Sequence, residues 1–198
     1  MSTSEKKFRL HVVVASTRPG RVGPQVANWF VDRAVADGEF EVRLVDLAEV
    51  GLPLLDEPEF AATGIYVHEH TRRWSEIVSE ADAIVFVMPE YNGGFTAPLK
   101  NALDYLLYEW KDKPVGLVSY GMSSGGMRAA HMIKPVLLGL GMVPVGGVIL
   151  HLRQVLNAEG ELVTSAALDA SADDMLGELA RVTPAFAALR EVRSPVAG

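Results

Sequence analysis

The chain has 198 residues, of which 49% are hydrophobic and 22% are charged, a composition typical of a globular domain with a sizeable core. Its formal net charge of −7 argues against nucleic acid or an anionic membrane as the partner, because both repel an acidic surface. The absence of cysteine excludes disulfides, thiolate nucleophiles and cysteine-ligated metal centres.

The N-terminal segment is polar and leads into an apolar run that is too short for a secretory signal. No stretch reaches the roughly 20 apolar residues that a membrane helix needs. We therefore expect a cytoplasmic protein that forms a single domain over residues 1–198 and has no membrane partner.

Apolar runs of strand length alternate with segments whose apolar residues recur at helical spacing. In chain order, the sequence predicts a strand at 8–15, a helix at 23–36, a strand at 40–47, a helix at 66–80, a strand at 83–88, a helix at 96–107, a strand at 115–119, a helix ending near 140, a strand at 143–150 and a helix at 166–189. Polar loops are expected between these elements, and Pro184 is expected to interrupt the last helix. This alternation predicts an α/β domain with a parallel sheet and helices on both faces.

The first loop, STRPGRVG at residues 16–23, follows the first predicted strand. Its hydroxyls, two guanidinium groups and backbone N–H groups at a helix N-terminus suit a phosphate. It matches neither the G-x-G-x-x-G fingerprint nor the Walker A loop, which favours the phosphate of a mononucleotide. A polar surface turn with solvated arginines is the alternative.

The second loop, PEYNGG at residues 89–94, and the third loop, SYGMSSGG at residues 119–126, suit a flat ligand. Their glycines allow the backbone to approach a ring closely, and an aromatic side chain can cover it. Taken singly, they could be a tight turn with an incidental tyrosine and a flexible Gly/Ser loop. In a parallel sheet, however, ligands bind beyond the carboxyl ends of the strands, so we expect the three loops to form one site.

These motifs resemble those of the NADPH-dependent FMN reductase family, within the flavodoxin-like superfamily. The resemblance rests on STRPGR, on PEYNGG followed by PLKNALDYL, and on SYGMSSGG followed by MRAA, in this order over residues 8–150. Ala15 stands where many family members have glycine. The resemblance implies a flavodoxin-like, doubly wound, five-stranded parallel sheet with strand order 2-1-3-4-5, and flavin mononucleotide (FMN) as the cofactor.

The resemblance also implies which residues bind FMN. The first loop would grip the phosphate through Ser16, Arg18, Arg21, Val22 and Gly23. The second would contact the ribityl chain and the ring through Pro89, Glu90, Tyr91, Asn92 and Gly93. The third would lie beside the pyrimidine edge of the ring through Ser119, Tyr120 and Gly121, followed by Gly125 and Gly126. No metal site and no essential catalytic side chain are expected, and Tyr91 would shape the substrate space above the ring.

The implied activity is electron transfer from NADPH or NADH, through FMN, to free flavin, a quinone, an azo compound or a similar small acceptor. A non-catalytic electron carrier between proteins and a specialised biosynthetic dehydrogenase are the alternatives. The family resemblance also implies a homodimer or homotetramer formed through the helix after PEYNGG and the adjacent loops.

Overall fold

The computed structural model describes residues 7–193, which form a five-stranded sheet in the order β2-β1-β3-β4-β5. All four pairs of neighbouring strands are parallel, which confirms the predicted flavodoxin-like topology. The strands are β1 (Phe8–Val14), β2 (Phe40–Asp46), β3 (Ala83–Pro89), β4 (Pro114–Gly121) and β5 (Val143–His151). The helices are α1 (Gly23–Asp37), α2 (Leu47–Val50), α3 (Glu69–Glu80), α4 (Ala97–Asp104), α5 (Met127–Gly139), α6 (Leu152–Val155) and α7 (Ala166–Arg193).

Two hydrophobic cores lie on opposite faces of the sheet. Every residue of β3 and β4 is buried, as expected for central strands covered by helices on both sides. Alternate residues of β4 belong to different cores: Leu117 packs with residues of α3, α4 and α5, whereas Val118 and Tyr120 pack with residues of α1 and α7. The period of two along a strand therefore turns the side chain of Tyr120 toward α1.

The helices differ from expectation in several places, among them the start of α3, which begins at Glu69 rather than at residue 66. Helix α4 ends at Asp104 rather than near residue 107, and short helices α2 and α6 lie in segments predicted as loops. Helix α7 continues through Pro184, so the predicted interruption is wrong. A proline in a helix removes one backbone hydrogen bond, and tertiary packing can outweigh that loss. Within residues 7–193, no helix has both the length and the apolar character to cross a membrane.

The topology brings the three loops together. Strand β1 lies between β2 and β3, so the chain leaves β1 toward one side of the sheet and later returns to its other side. The first, second and third loops follow β1, β3 and β4, which are neighbours in the sheet. They therefore share the carboxyl edge at the point where the strand order reverses, the usual ligand position in such folds.

Candidate functional site

The first loop is braced by Arg21. The guanidinium donates two bonds of 2.6 Å to the Asp46 carboxylate at the end of β2 and one of 2.5 Å to the Ser16 carbonyl. A bidentate pair of this kind fixes geometry as well as charge. Because the charge of Arg21 is already balanced by Asp46, its main effect is to hold the loop in shape. Asp46 was not predicted from the sequence, since nothing in the end of β2 indicates a partner 25 residues away.

Arg18 differs from Arg21 because it points into solvent. It is exposed and makes no ion pair or hydrogen bond with another described residue. Helix α1 begins just beyond, with Val22 at its N-cap and no side-chain cap. Pro24 has no N–H, and the N–H groups of Gln25 and Val26 donate to the Val22 carbonyl, so the Gly23 N–H is the helical donor that faces an anion. The loop therefore presents one unpaired cation and an uncapped helix end side by side.

Two buried hydroxyls lie beneath this loop. Ser16 is fully buried and Tyr120 is 3% exposed, yet neither hydroxyl oxygen has a hydrogen-bond partner within the described chain. A Cβ atom on Gly23 would lie 2.1 Å from Ser16 Oγ and 2.8 Å from Tyr120 Oη, so the two oxygens border the same small space. The side chain of Tyr120 thus reaches the first loop, although its backbone begins the third.

The second loop contains a two-residue hairpin turn. Tyr91 and Gly94 exchange backbone hydrogen bonds of 3.0 and 3.1 Å, and the residues between them, Asn92 and Gly93, have φ angles of 52° and 82°. Positive φ at both central residues is the requirement of a type I′ turn, which Asn-Gly meets with little strain. The turn leaves Tyr91 39% exposed at the sheet edge, where its ring is free to cover a ligand.

Glu90 joins the second loop to the third. Its buried carboxylate accepts hydrogen bonds from Ser124 Oγ at 2.5 Å and from the Arg128 N–H at 3.0 Å, and Arg128 Nη1 lies 3.7 Å away. Burial would raise the pKa of Glu90, but the bonds from Ser124 and from the start of α5 outweigh it, so the pKa lies below its usual value. Glu90 also donates its N–H to the Tyr120 carbonyl at 2.9 Å. Its side chain therefore fastens the third loop rather than facing a ligand.

The third loop turns sharply at two glycines. Gly125 and Gly126 have φ angles of 63° and 90°, in the left-handed region. A Cβ on Gly126 would lie 2.5 Å from the Tyr120 nitrogen and 2.7 Å from Ser119 Cβ, so the loop folds back onto the end of β4. Ser119 Oγ donates to the Gly125 carbonyl at 3.4 Å. The loop therefore forms a compact turn against the end of β4.

The predicted residues lie at one edge of the sheet, but they differ in whether their side chains are already held by internal hydrogen bonds. Arg21, Glu90 and the Ser119 hydroxyl are occupied by internal hydrogen bonds. Arg18 and Tyr91 are exposed at this edge, and the buried hydroxyls of Ser16 and Tyr120 have no hydrogen-bond partner among the described residues. Val22, Gly23, Pro89, Asn92, Gly93 and Gly121 contribute backbone to the same three turns. Sequence reasoning missed the bracing residues Asp46, Ser124 and Arg128, because each acts through a contact that only the fold creates.

A sequence model of the family described as NADPH-dependent FMN reductase matches residues 8–157, a region that contains all three loops. The chain belongs to this family. It is therefore an oxidoreductase that uses FMN and a reduced nicotinamide.

Several characterised proteins are similar to this chain in sequence. An NAD(P)H-dependent FMN reductase of Schizosaccharomyces pombe is 40% identical over 63% of each chain, so the match spans slightly less than two thirds of that protein. A second, of Saccharomyces cerevisiae, is 39% identical over 71% of this chain and 79% of its own. A quinone reductase of Pseudomonas putida is 30% identical over 68% of this chain and 72% of its own.

The solved structures support the fold of this FMN reductase family member. The flavoenzyme FerB of Paracoccus denitrificans, an NAD(P)H:(acceptor) oxidoreductase, superimposes with a TM-score of 0.69. It covers 88% of this chain and 98% of its own at 19% identity, so the likeness concerns the fold.

The residues present fit FMN. Exposed Arg18 and the Ser16 hydroxyl, which has no partner, offer donors for a phosphate dianion, and the hairpin turn with Tyr91 offers a surface for a planar ring. Buried hydroxyls without a partner are uncommon in folded proteins and call for a ligand or water.

Proposed function

We propose that the three loops bind FMN across the carboxyl edge of the sheet, with its phosphate on the first loop and its ring between the second and third. The observation that supports this placement is that different types of chemical group lie on different loops along the sheet edge. The first loop offers unpaired donors and a cation, whereas the other two offer glycine turns and an exposed aromatic side chain.

The residues of the site have distinct roles in this proposal. FMN, when bound, supplies the redox chemistry, accepting a hydride from a nicotinamide and passing electrons onward. Arg18 and the uncapped start of α1 balance the phosphate charge, while Arg21 and Asp46 keep the first loop in position. Tyr91 borders the space in which a nicotinamide and an acceptor would bind alternately. No side chain of the protein needs to transfer a proton for the hydride step.

The acceptor belongs to the class of small, flat, reducible molecules. Free flavin, quinones and azo compounds share this shape, and the names of related proteins include a quinone reductase and an NADPH azoreductase. The open, partly apolar edge around Tyr91 and Met122 suits such molecules better than a single specific polar substrate.

The test of this function is anaerobic reduction of the flavin-loaded protein. We expect NADPH to bleach the flavin absorbance at about 450 nm, and a quinone added afterwards to restore it within the same preparation. NADH in a parallel cuvette measures the preference between the two donors. A flavin band that persists with both nicotinamides, yet is lost with a chemical reductant, would instead identify an electron carrier.

Substituting Arg18→Ala is expected to weaken FMN binding by about 2 kcal/mol or more, because it removes a charge-assisted bond to the phosphate. The measurement is titration of apoprotein with FMN, followed by flavin fluorescence. Arg73→Ala is the matched control, since Arg73 is an exposed arginine of α3 that makes no ion pair with another described residue. Equal FMN affinity in the two variants would mean that the phosphate lies elsewhere.

We also propose that the protein is cytoplasmic and forms a homodimer or homotetramer. Helix α4, which follows the second loop, exposes mainly the Lys100–Asp104 ion pair, whereas the adjacent helix α5 exposes Met132 and Leu138. Exposed apolar side chains of this kind support an interface between copies near α4 and α5, because water disfavours such surfaces. Multi-angle light scattering that finds only monomer would contradict this.

A further inference from the structure

The hydroxyls of Ser16 and Tyr120 are an unusual pair. They come from the ends of two different strands, β1 and β4, and belong to the small set of buried side-chain polar atoms without a partner in residues 7–193. A hydroxyl buried in this way is unfavourable until it finds a hydrogen bond. Two of them at one place, directly beneath a loop suited to phosphate, point to a shared task.

Gly23 shows how closely the hydroxyls approach the start of α1. It lies within the helix and its φ is not left-handed, so local conformation alone would favour alanine at this position. What requires glycine is space, because a Cβ would overlap Ser16 Oγ at 2.1 Å and crowd Tyr120 Oη at 2.8 Å. The helix start, the serine and the tyrosine are therefore packed as one unit.

We propose that Tyr120 is a positioning residue for the phosphate site: its hydroxyl donates to Ser16 Oγ, which leaves the Ser16 proton for a phosphate oxygen. This inference rests on the proposed placement of FMN. A hydroxyl donates one hydrogen bond and accepts up to two, so the relay gives both donors a partner once the phosphate arrives. Tyr120 acts through Ser16 and does not itself touch the cofactor.

The surroundings of Tyr120 suit a donor. Burial, with Tyr91 nearby, raises the pKa of Tyr120 to about 12, despite the opposing influence of the neighbouring Ser16 hydroxyl and of Arg21 and Arg18. The hydroxyl therefore keeps its proton throughout the neutral range. Its ring is buried in the same core as Val14 of β1 and Val26 of α1, and this packing restricts the position of the hydroxyl.

The experiment compares Tyr120→Phe with the unsubstituted protein, by titrating each apoprotein with FMN and separately with riboflavin, which lacks the phosphate. We expect the Kd for FMN to rise about tenfold and the Kd for riboflavin to stay unchanged, because only the phosphate contact is altered. Thermal denaturation of apo Tyr120→Phe should give an equal or higher Tm, since an unsatisfied hydroxyl has been removed. Tyr105→Phe is the control for loss of a buried tyrosine hydroxyl, because Tyr105 bonds to Asp56 at 2.9 Å outside the three loops.

A double-mutant cycle with Ser16→Ala separates a relay from a direct contact. If Tyr120 acts through Ser16, the double variant binds FMN as weakly as Ser16→Ala alone. Losses that add would overturn the relay, as would an unchanged FMN affinity in Tyr120→Phe or an equal loss for FMN and riboflavin. If the unsubstituted protein binds riboflavin as tightly as FMN, the phosphate contributes nothing to binding. The proposed phosphate site itself is then wrong, whatever the role of Tyr120.

Discussion

Replacing Gly126 with alanine is expected to lower the free energy of unfolding by about 2–4 kcal/mol and to weaken FMN binding severely. The added Cβ would lie 2.5 Å from the backbone nitrogen of Tyr120, and the φ of 90° disfavours any side chain. The backbone at Tyr120 cannot rotate out of the way as a side chain can, so the third loop must move away from the end of β4 to relieve the clash. Urea denaturation and FMN titration measure the two effects.

Gly139→Ala is the matched control for Gly126→Ala. Gly139 ends α5, its φ is not left-handed, and a Cβ there would meet nothing within 4 Å. Alanine should therefore leave FMN binding unchanged and alter stability by no more than about 1 kcal/mol, in the stabilising direction. If Gly126→Ala behaves like this control, the third loop is not held as the structure indicates.

Acid is expected to destabilise the protein through His11. This residue of β1 is 2% exposed, and burial, with the positive charges of Arg43, Lys113 and Arg9, lowers its pKa to about 4 against a weaker opposing effect of Glu80. Between pH 6.5 and 4 the unfolded chain takes up a proton at this position that the folded chain refuses. As the pH is lowered from 6.5 to 4, the free energy of unfolding therefore decreases by about 3 kcal/mol.

Urea denaturation at several pH values, comparing the unsubstituted protein with His11→Asn, isolates this contribution. The variant should show a smaller loss of stability between pH 6.5 and 4.5, because asparagine does not titrate. Carboxylates such as Glu90, whose pKa is lowered in the folded state, lose their contribution at still lower pH and affect both proteins alike. His131→Asn, at an exposed position of α5, should keep the slope of the unsubstituted protein. Parallel stability curves for His11→Asn and the unsubstituted protein would contradict the prediction.

The strands and the three loops could be predicted because their signals are local. Continuous apolar runs such as 83–88 define central strands of a parallel sheet, and Asn92-Gly93 defines a type I′ turn by its backbone preferences. Helix ends were less predictable, as Pro184 shows. A proline removes one backbone hydrogen bond, but whether the helix continues depends on packing against distant residues, which the local sequence does not reveal.

By itself the sequence determined the α/β fold, the three loops and their place at one sheet edge, because periodicity and turn chemistry act over a few residues. Only the tertiary structure decided what each side chain in those loops does. Arg18 and Arg21 look equivalent in the sequence, yet Asp46 from another strand occupies Arg21 and leaves Arg18 open. Tyr120 belongs to the third loop in sequence, but its side chain lies against the first loop. The reason is that successive side chains of β4 point into two different cores. Contacts between residues distant in the chain depend on strand order and register, and no local pattern encodes them.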